Sequence, residues 1–401
     1  MDLRLSPEHE ALRQEVRRFL AEHASEAPPA GLGVAGGMPE PRRIAWQRTL
    51  IEHGYAARTV PREYGGYGAE PDPLALAIID EEFSRAGVSR GIGGQGPDML
   101  VPTLLEFGTE KQKRRYIPPT IRGEMIWCQG YSEPGAGSDL ASVSTRGEDA
   151  GDAFLVTGQK IWTTGAHQAH MMFALVRTEP EAPRHAGLSY LLIPMDAPGI
   201  EVRPLRTMTG HAEFNEVFLD RVHVPMENLV GRRGQGWQVA NATLAHERNF
   251  LSASGQIEAG FERLRRLMER ETLDGIPAIR HPIYRDRLLR LQGRVLAQKA
   301  HGMRMLSCRM RKESPGVAGL VQKLVGCELA HQIAALGVDV LGERGMMPRG
   351  LPEEEADGRW PFTYFFSLGL IIGGGTAQIQ KNIISERGLG MPREPRGGGG
   401  R

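Results

Sequence analysis

The sequence predicts three folded regions, helical at both ends with β-structure between them. The expected order is an N-terminal all-α domain over 1–125 and a middle β-barrel or β-sandwich domain over 126–233. A C-terminal four-helix bundle over 234–390 and a flexible tail over 391–401 complete it. Three observations carry this. Apolar residues recur at one-face helical spacing in the first and last thirds. The middle third has short apolar runs bounded by Gly, Asp and Pro. Strands and helices do not alternate along the chain, which argues against a doubly wound nucleotide fold and a barrel of repeated units.

In the first third, Ser6-Pro7 reads as a helix cap followed by proline at the first helical position, and Leu12, Val16, Phe19 and Leu20 share one face. Such patterns run to about residue 120, broken by Gly/Pro-rich stretches at 27–37 and 61–73. In the middle third, Phe154-Leu155-Val156 and the runs at 171–176 and 188–193 are strand-like, and Arg221-Val222-His223-Val224 alternates as a half-buried strand does. After Gly236 the helical period returns. Leu288, Leu291 and Val295 mark one helix; Leu320, Leu324 and Cys327 mark another, expected to open at Ser314-Pro315. The tail's glycines at 397–400 suit disorder.

Composition narrows the function classes. The 401 residues accommodate two to three domains with sizeable cores. With 49 basic against 48 acidic residues the net charge is +1, which gives no footprint for nucleic acid or an anionic membrane. Cys128, Cys308 and Cys327 stand apart in apolar contexts, as reduced core residues do. No continuous apolar run of transmembrane length and no secretory h-region is read, so the expected location is the cytoplasm.

Several motifs fail on context. Gly91-Ile92-Gly93-Gly94-Gln95-Gly96 has dinucleotide spacing but follows no expected strand, so it reads as a glycine-rich turn. Ser138 lacks the flanking glycines of a nucleophile elbow. His167 and His170 have no partner at ligand spacing, and His246-Glu247 is followed by Phe250 where a zinc helix needs His. No metal is expected.

Three stretches carry chemistry together. They are Trp127-Cys128-Gln129-Gly130-Tyr131-Ser132-Glu133-Pro134-Gly135-Ala136-Gly137-Ser138-Asp139, then Gly158-Gln159-Lys160-Ile161-Trp162-Thr163-Thr164-Gly165, and near the C-terminus Gly373-Gly374-Gly375-Thr376-Ala377-Gln378-Ile379-Gln380. In content and order they resemble the acyl-CoA dehydrogenase family. The likeness extends from Gly108-Thr109-Glu110-Lys111-Gln112 to the last helix and includes Phe218-Leu219-Asp220-Arg221-Val222-His223-Val224-Pro225 and Asn228-Leu229-Val230-Gly231.

The resemblance implies FAD, lying between the β-domain and the bundle. The matching family contacts fall on Gln129, Tyr131, Ser132, Trp162 and Thr164 in the first two stretches and on Thr376 and Gln378 in the third. A buried isoalloxazine needs a flat apolar wall, which Trp162 can supply, and hydrogen bonds to its polar edge. Ser138 falls where the family meets its acyl-CoA substrate. Two family elements depart from the pattern: Arg270-Glu271-Thr272-Leu273-Asp274-Gly275 has Asp for Phe, and Asp339-Val340-Leu341-Gly342-Glu343-Arg344-Gly345 keeps Gly342 but lacks the Gln. FAD is expected to bind still, through Gly342 among others, with altered pyrophosphate contacts.

The implied reaction removes a proton alpha to a thioester and a hydride beta to it. An unassisted alpha proton is too weakly acidic for a carboxylate, so the carbonyl oxygen must receive preorganised hydrogen bonds. Many family members carry the base directly before the Gly-Thr pair of the third stretch, where this chain has Gly374. Members related to the isovaleryl and long-chain enzymes place a Glu-Arg pair on the first bundle helix, and Glu247-Arg248 matches it. The expectation is therefore Glu247 as base, Arg248 at the substrate, and the Gly374 N–H at the oxyanion. The resemblance also implies a homodimer or homotetramer and an electron-transfer flavoprotein as acceptor. An acyl-CoA oxidase, a flavin monooxygenase on the same fold, and a non-catalytic subunit of a heteromeric dehydrogenase stay open.

Overall fold

The computed structural model describes residues 5–28, 39–251, 254–346 and 359–393; the glycine-rich end of the tail lies outside them. The chain divides into two compact units, Met1–Glu247 and Arg248–Arg401.

The first unit opens with helices α1 (Pro7–His23), α2 (Pro41–Glu52), α3 (Pro73–Ala86), α4 (Val101–Phe107) and α5 (Glu110–Ile121). Their starts follow from local chemistry. Ser6 accepts the His9 amide, Asp72 accepts those of Leu74 and Ala75, and Thr109 with Gln112 forms a reciprocal capping box. Val16, Phe19, Leu20, Trp46, Leu50, Ile79 and Phe83 close one core. The Gly91–Gly96 stretch follows α3, no strand, and runs into a π-helical turn over Gln95–Leu100.

Then come eight strands of one mixed sheet: β1 (Trp127–Gly130), β2 (Arg146–Asp149), β3 (Ala153–Lys160), β4 (Met171–Arg177), β5 (Leu188–Pro194), β6 (Ile200–Leu205), β7 (Phe214–Pro225) and β8 (Leu229–Val230). Their order is β6-β7-β3-β2-β4-β5-β8, with β1 parallel to β4. The apolar runs of β4 and β5, broken only by Ser189 before their last residues, reflect burial on both faces. Phe173, Leu175 and Tyr190 pack toward α4 and α5, while Met172, Ala174 and Val176 fill the opposite core.

Helix α6 (Gly236–Leu251) follows. A Cβ on Gly236 would lie 2.4 Å from the Ser189 carbonyl carbon, so only glycine lets α6 start against β5. Val239, Ala240 and Leu244 then join the core that holds Tyr190. The boundary between the units falls within α6, after Glu247.

The second unit is helical: α7 (Ser254–Arg270), a hairpin of β9 (Thr272–Leu273) and β10 (Ile276–Pro277), then α8 (Pro282–Met310), α9 (Val317–Leu341), α10 (Arg359–Ile372) and α11 (Ala377–Ile383). Helix α9 is central, touching α7, α8 and α10. Its start is at Val317, not at Ser314-Pro315, because the chain turns through Gly316 at φ +56°. The core joins Phe261, Leu264, Leu288, Leu291, Val295, Ile333, Leu336 and Trp360. All three cysteines are buried and free.

Val317–Met346 and Trp360–Gly388 are long and apolar enough to cross a membrane. Neither is a continuous apolar run, because polar residues such as Lys323 and Gln378 interrupt them. The first stretch contains the central bundle helix, whose apolar character serves the core; the second is broken by the turn between α10 and α11.

Candidate active site

The first two motif stretches are clamped together inside the first unit. The Ile161 amide donates to the Ser132 carbonyl at 3.0 Å. Beneath it, Lys160 at the end of β3 is fully buried and donates from Nζ to Glu133 Oε1 at 2.8 Å, the Leu175 carbonyl at 2.7 Å and the Tyr131 carbonyl at 3.3 Å. Glu133 also accepts the amides of Ser144 and Thr145 and the Ser144 hydroxyl. Burial alone would raise the Glu133 pKa. The Lys160 charge and this ring of donors outweigh it and pull the carboxyl down to about 2. Burial pushes the Lys160 ammonium down and the Glu133 carboxylate opposes that shift, and the contact fixes Tyr131 and Ser132 against the start of the second stretch.

Trp162 follows. Its backbone lies in the left-handed region at φ +59°, uncommon for a large side chain. The indole is 57% exposed, with the Phe214 ring edge-on at 6.0 Å. The loop is held from below: the Thr163 amide donates to the Asn215 carbonyl, Asn215 Nδ2 returns a bond to the Thr163 carbonyl, and the Gly165 amide reaches the Glu213 carbonyl. Thr163 Oγ1 and both carboxylate oxygens of Glu213 are buried without a hydrogen-bond partner among the described residues. Thr164 and Gln129 are half-buried, and Tyr131 is buried. Ser138 is exposed, beside Asp139, which pairs with Arg184 and accepts from Ser142 at 2.6 Å.

Two cavities open on this unit. One of 290 Å³ is lined by Glu133, Pro134, Gly135, Ser142, Ser144 and Gln159. The other, of 510 Å³, is lined among others by His185, Arg232, Arg233 and Trp237. Arg233 is tied to Glu179 at 2.6 Å and to Asp149, and His185 lies against Trp237 with ring centroids 4.6 Å apart. The backbone of α6 places residues 247 and 248 on its last turns, but the side chains of Glu247 and Arg248 lie outside the described residues.

The third stretch lies in the second unit. Between α10 and α11 the chain turns through Gly374 at φ +64° and Gly375 at φ +98°. Buried Lys323, on α9, donates to the Ile371 carbonyl at 3.0 Å and the Gly375 carbonyl at 2.6 Å. Gln380 Nε2 donates to the Gly374 carbonyl, and Thr376 caps α11 by accepting the Ile379 amide. Gln378 is exposed on α11. Gly342 ends α9 at φ +56°. Near it Asp339, standing for the absent Gln, is paired with Arg287 at 2.5 Å. The other altered element is a two-residue hairpin whose turn is Asp274-Gly275, both at positive φ.

Comparison with known sequences decides the family. Profiles for the N-terminal, middle and C-terminal domains of acyl-CoA dehydrogenases match residues 6–124, 128–222 and 234–389. The chain belongs to the acyl-CoA dehydrogenase family. It is 40% identical to acyl-CoA dehydrogenase IpdE1 of Mycobacterium tuberculosis, over 97% of this chain and 99% of that one. Among solved structures it is similar to the Tcur3481-Tcur3483 steroid ACAD, at TM-score 0.81 and 29% identity, covering 98% and 100% of the two chains. The ChsE4-ChsE5 complex of M. tuberculosis matches at the same TM-score of 0.81, with 29% identity and coverage of 98% and 100%.

This acyl-CoA dehydrogenase is thus a flavoprotein oxidoreductase acting on acyl-CoA, and its residues fit FAD. The exposed indole of Trp162 offers a wall, and the unpartnered oxygens of Thr163 and Glu213 belong to residues next in sequence to Trp162 and to Phe214, the ring edge-on to the indole. His167 faces Asn215, His170 accepts the Ile126 amide, and the described residues contain no group suited to a metal.

Sequence reasoning missed the supports. Lys160 and Glu133 were visible as motif letters, and a lysine ending an apolar strand was the available signal. Lys323 had a similar signal, a cation amid an apolar helix. Glu213, Asn215 and Thr163 gave none, because their pairing depends on β7 lying beside β3.

Proposed function

We propose that this chain oxidises an acyl-CoA thioester to its trans-2-enoyl-CoA with Glu247 as the base. FAD, when bound, supplies the acceptor for the beta hydride. The Glu247 carboxylate takes the alpha proton, and bound substrate raises its pKa toward neutrality by excluding water. The Gly374 N–H donates to the thioester carbonyl oxygen as negative charge gathers there. A Gly at this position removes a side chain and keeps the N–H. Trp162 forms the flavin wall, with Gln129, Tyr131, Ser132, Thr164, Gly342, Thr376 and Gln378 as further contacts, and Ser138 and Arg248 at the substrate.

The observation that carries this reading is the course of α6. It runs unbroken from Gly236 to Leu251, so Glu247 stands one turn after Thr243, whose hydroxyl touches that of Tyr190. Residues four apart share a helix face, so position 247 lies on the same face of α6 as Thr243. The 510 Å³ cavity between Arg232 and Trp237 suits a phosphate-bearing, heterocyclic ligand end such as that of CoA.

Electrons pass to an electron-transfer flavoprotein, and the enzyme works in the cytoplasm. A homodimer or homotetramer would cover the apolar residues exposed along α8. A heteromer is the second reading, because two similar solved structures carry names that pair two chains. The first of these names makes steroid-type thioesters the leading substrate class. Anaerobic bleaching of the flavin by straight, branched, aromatic and steroid-type acyl-CoA thioesters tests the proposal. Bleaching by at least one class is expected; a FAD-loaded protein that none of them bleaches would refute it.

A further inference from the structure

Three fully buried hydroxyl side chains stand in line beneath α6: Tyr190 on β5, Thr243 on α6 and Thr103 on α4. Thr243 Oγ1 lies 3.3 Å from the Tyr190 hydroxyl and 3.0 Å from Thr103 Oγ1. Thr103 donates onward to the Met99 carbonyl at 2.7 Å, in the π-helical turn. At the other end the Tyr131 ring stands edge-on to that of Tyr190, with centroids 6.2 Å apart. Burial pushes the Tyr190 phenol up, and its bond to Thr243 opposes that shift, so it remains a neutral donor.

Each hydroxyl has one proton to give. Thr103 gives its own to Met99. The order that supplies a proton to every contact between elements is then Tyr190 to Thr243, Thr243 to Thr103, and Thr103 to the carbonyl. Thr243 can also donate to the Val239 carbonyl at 3.1 Å, but that bond lies within α6 and orients nothing. A purely apolar contact would let α6 slide or roll on its neighbours at little cost. A chain of hydroxyls out of reach of water does not, because a roll takes Thr243 away from Tyr190 and leaves that buried donor unpaired. Gly236 already fixes where α6 starts along β5. The hydroxyls fix its rotation.

We propose that Tyr190, Thr243 and Thr103 are positioning residues for proton transfer, holding the face of α6 that carries position 247 in register with Tyr131. The proposal rests on the reading of Glu247 as the base. It implies that losing the chain slows alpha-proton removal while FAD and substrate still bind.

The test uses FAD-loaded holoenzyme and a thioester found to bleach it, and reads exchange of the alpha proton with deuterated solvent, kcat against KM, flavin content and thermal midpoint. Thr243→Val should slow exchange and kcat by about tenfold to a hundredfold, since small misplacements of reacting groups cost that much. KM and flavin content should stay within about twofold by the same logic. Thr243→Ser should recover the rate. Thr243→Val combined with Tyr190→Phe leaves fewer buried donors unpaired, so the thermal midpoint should rise from that of Thr243→Val while the rate stays low. A rate that recovers together with stability would make the chain merely structural and overturn the proposal. Glu247→Gln separates the two claims. If it keeps full exchange, the base assignment fails and this proposal with it; if it abolishes exchange while Thr243→Val leaves it intact, only the positioning role fails.

Discussion

The two compact units hold their site residues by opposite means. In the first, Tyr131, Ser132 and Trp162 rest on side chains that are charged or polar, buried and mutually paired, chiefly Lys160 with Glu133. In the second, the turn through Gly374 is glycine backbone latched by Lys323 and Gln380. Their surfaces differ as well. Of the large apolar residues exposed among those described, only Trp162 and Met208 belong to the first unit. The second exposes Leu289, Leu296, Met303 and Met310, spaced by seven along α8, and Ile372 on α10. A motif braced from within is preorganised before any ligand arrives. One built from a glycine turn among exposed apolar helices gains order from what assembles on it.

The comparison predicts unequal responses to removing each buried lysine. Lys160→Met strands the Glu133 carboxylate in the interior and should lower unfolding free energy by about 3–5 kcal/mol, with flavin lost from the folded fraction. Chemical denaturation checks it, and a loss under about 1 kcal/mol would mean water already reaches the pair. Lys323→Met leaves two carbonyls unpaired and should cost less, about 1–3 kcal/mol, while weakening FAD binding in a flavin titration.

Acid provides a second contrast. The Glu133 pKa lies below its unfolded value, so its stabilisation is full above about pH 4.5 and is lost as pH falls toward about 2. Acid unfolding of the wild type should steepen in that window, and Glu133→Gln should flatten the dependence. The smallest effect should have the opposite sign. Trp162→Gly removes left-handed strain worth about 1–2 kcal/mol and should leave stability unchanged or slightly raised, yet weaken FAD binding.

The sequence made legible what depends on nearby residues. The helix cap at Ser6 and the strands of the middle third follow from local pattern, and the structure contains them. The α9 start was misplaced because the conformation of Gly316, not Ser314-Pro315, sets it. The supports were hidden for a different reason. Thr103 and Thr243 are 140 positions apart, and nothing local to either shows that they meet. Their contact exists because α4 and α6 both pack on the face of the sheet that carries Tyr190.

The central claim is that the base has moved from the third stretch to α6. The most direct measurement is the anaerobic rate of flavin bleaching by a competent acyl-CoA in Glu247→Gln holoenzyme, compared with wild type at equal FAD occupancy. The account predicts a fall of at least about a hundredfold with flavin still bound. An undiminished rate would show that another group takes the proton.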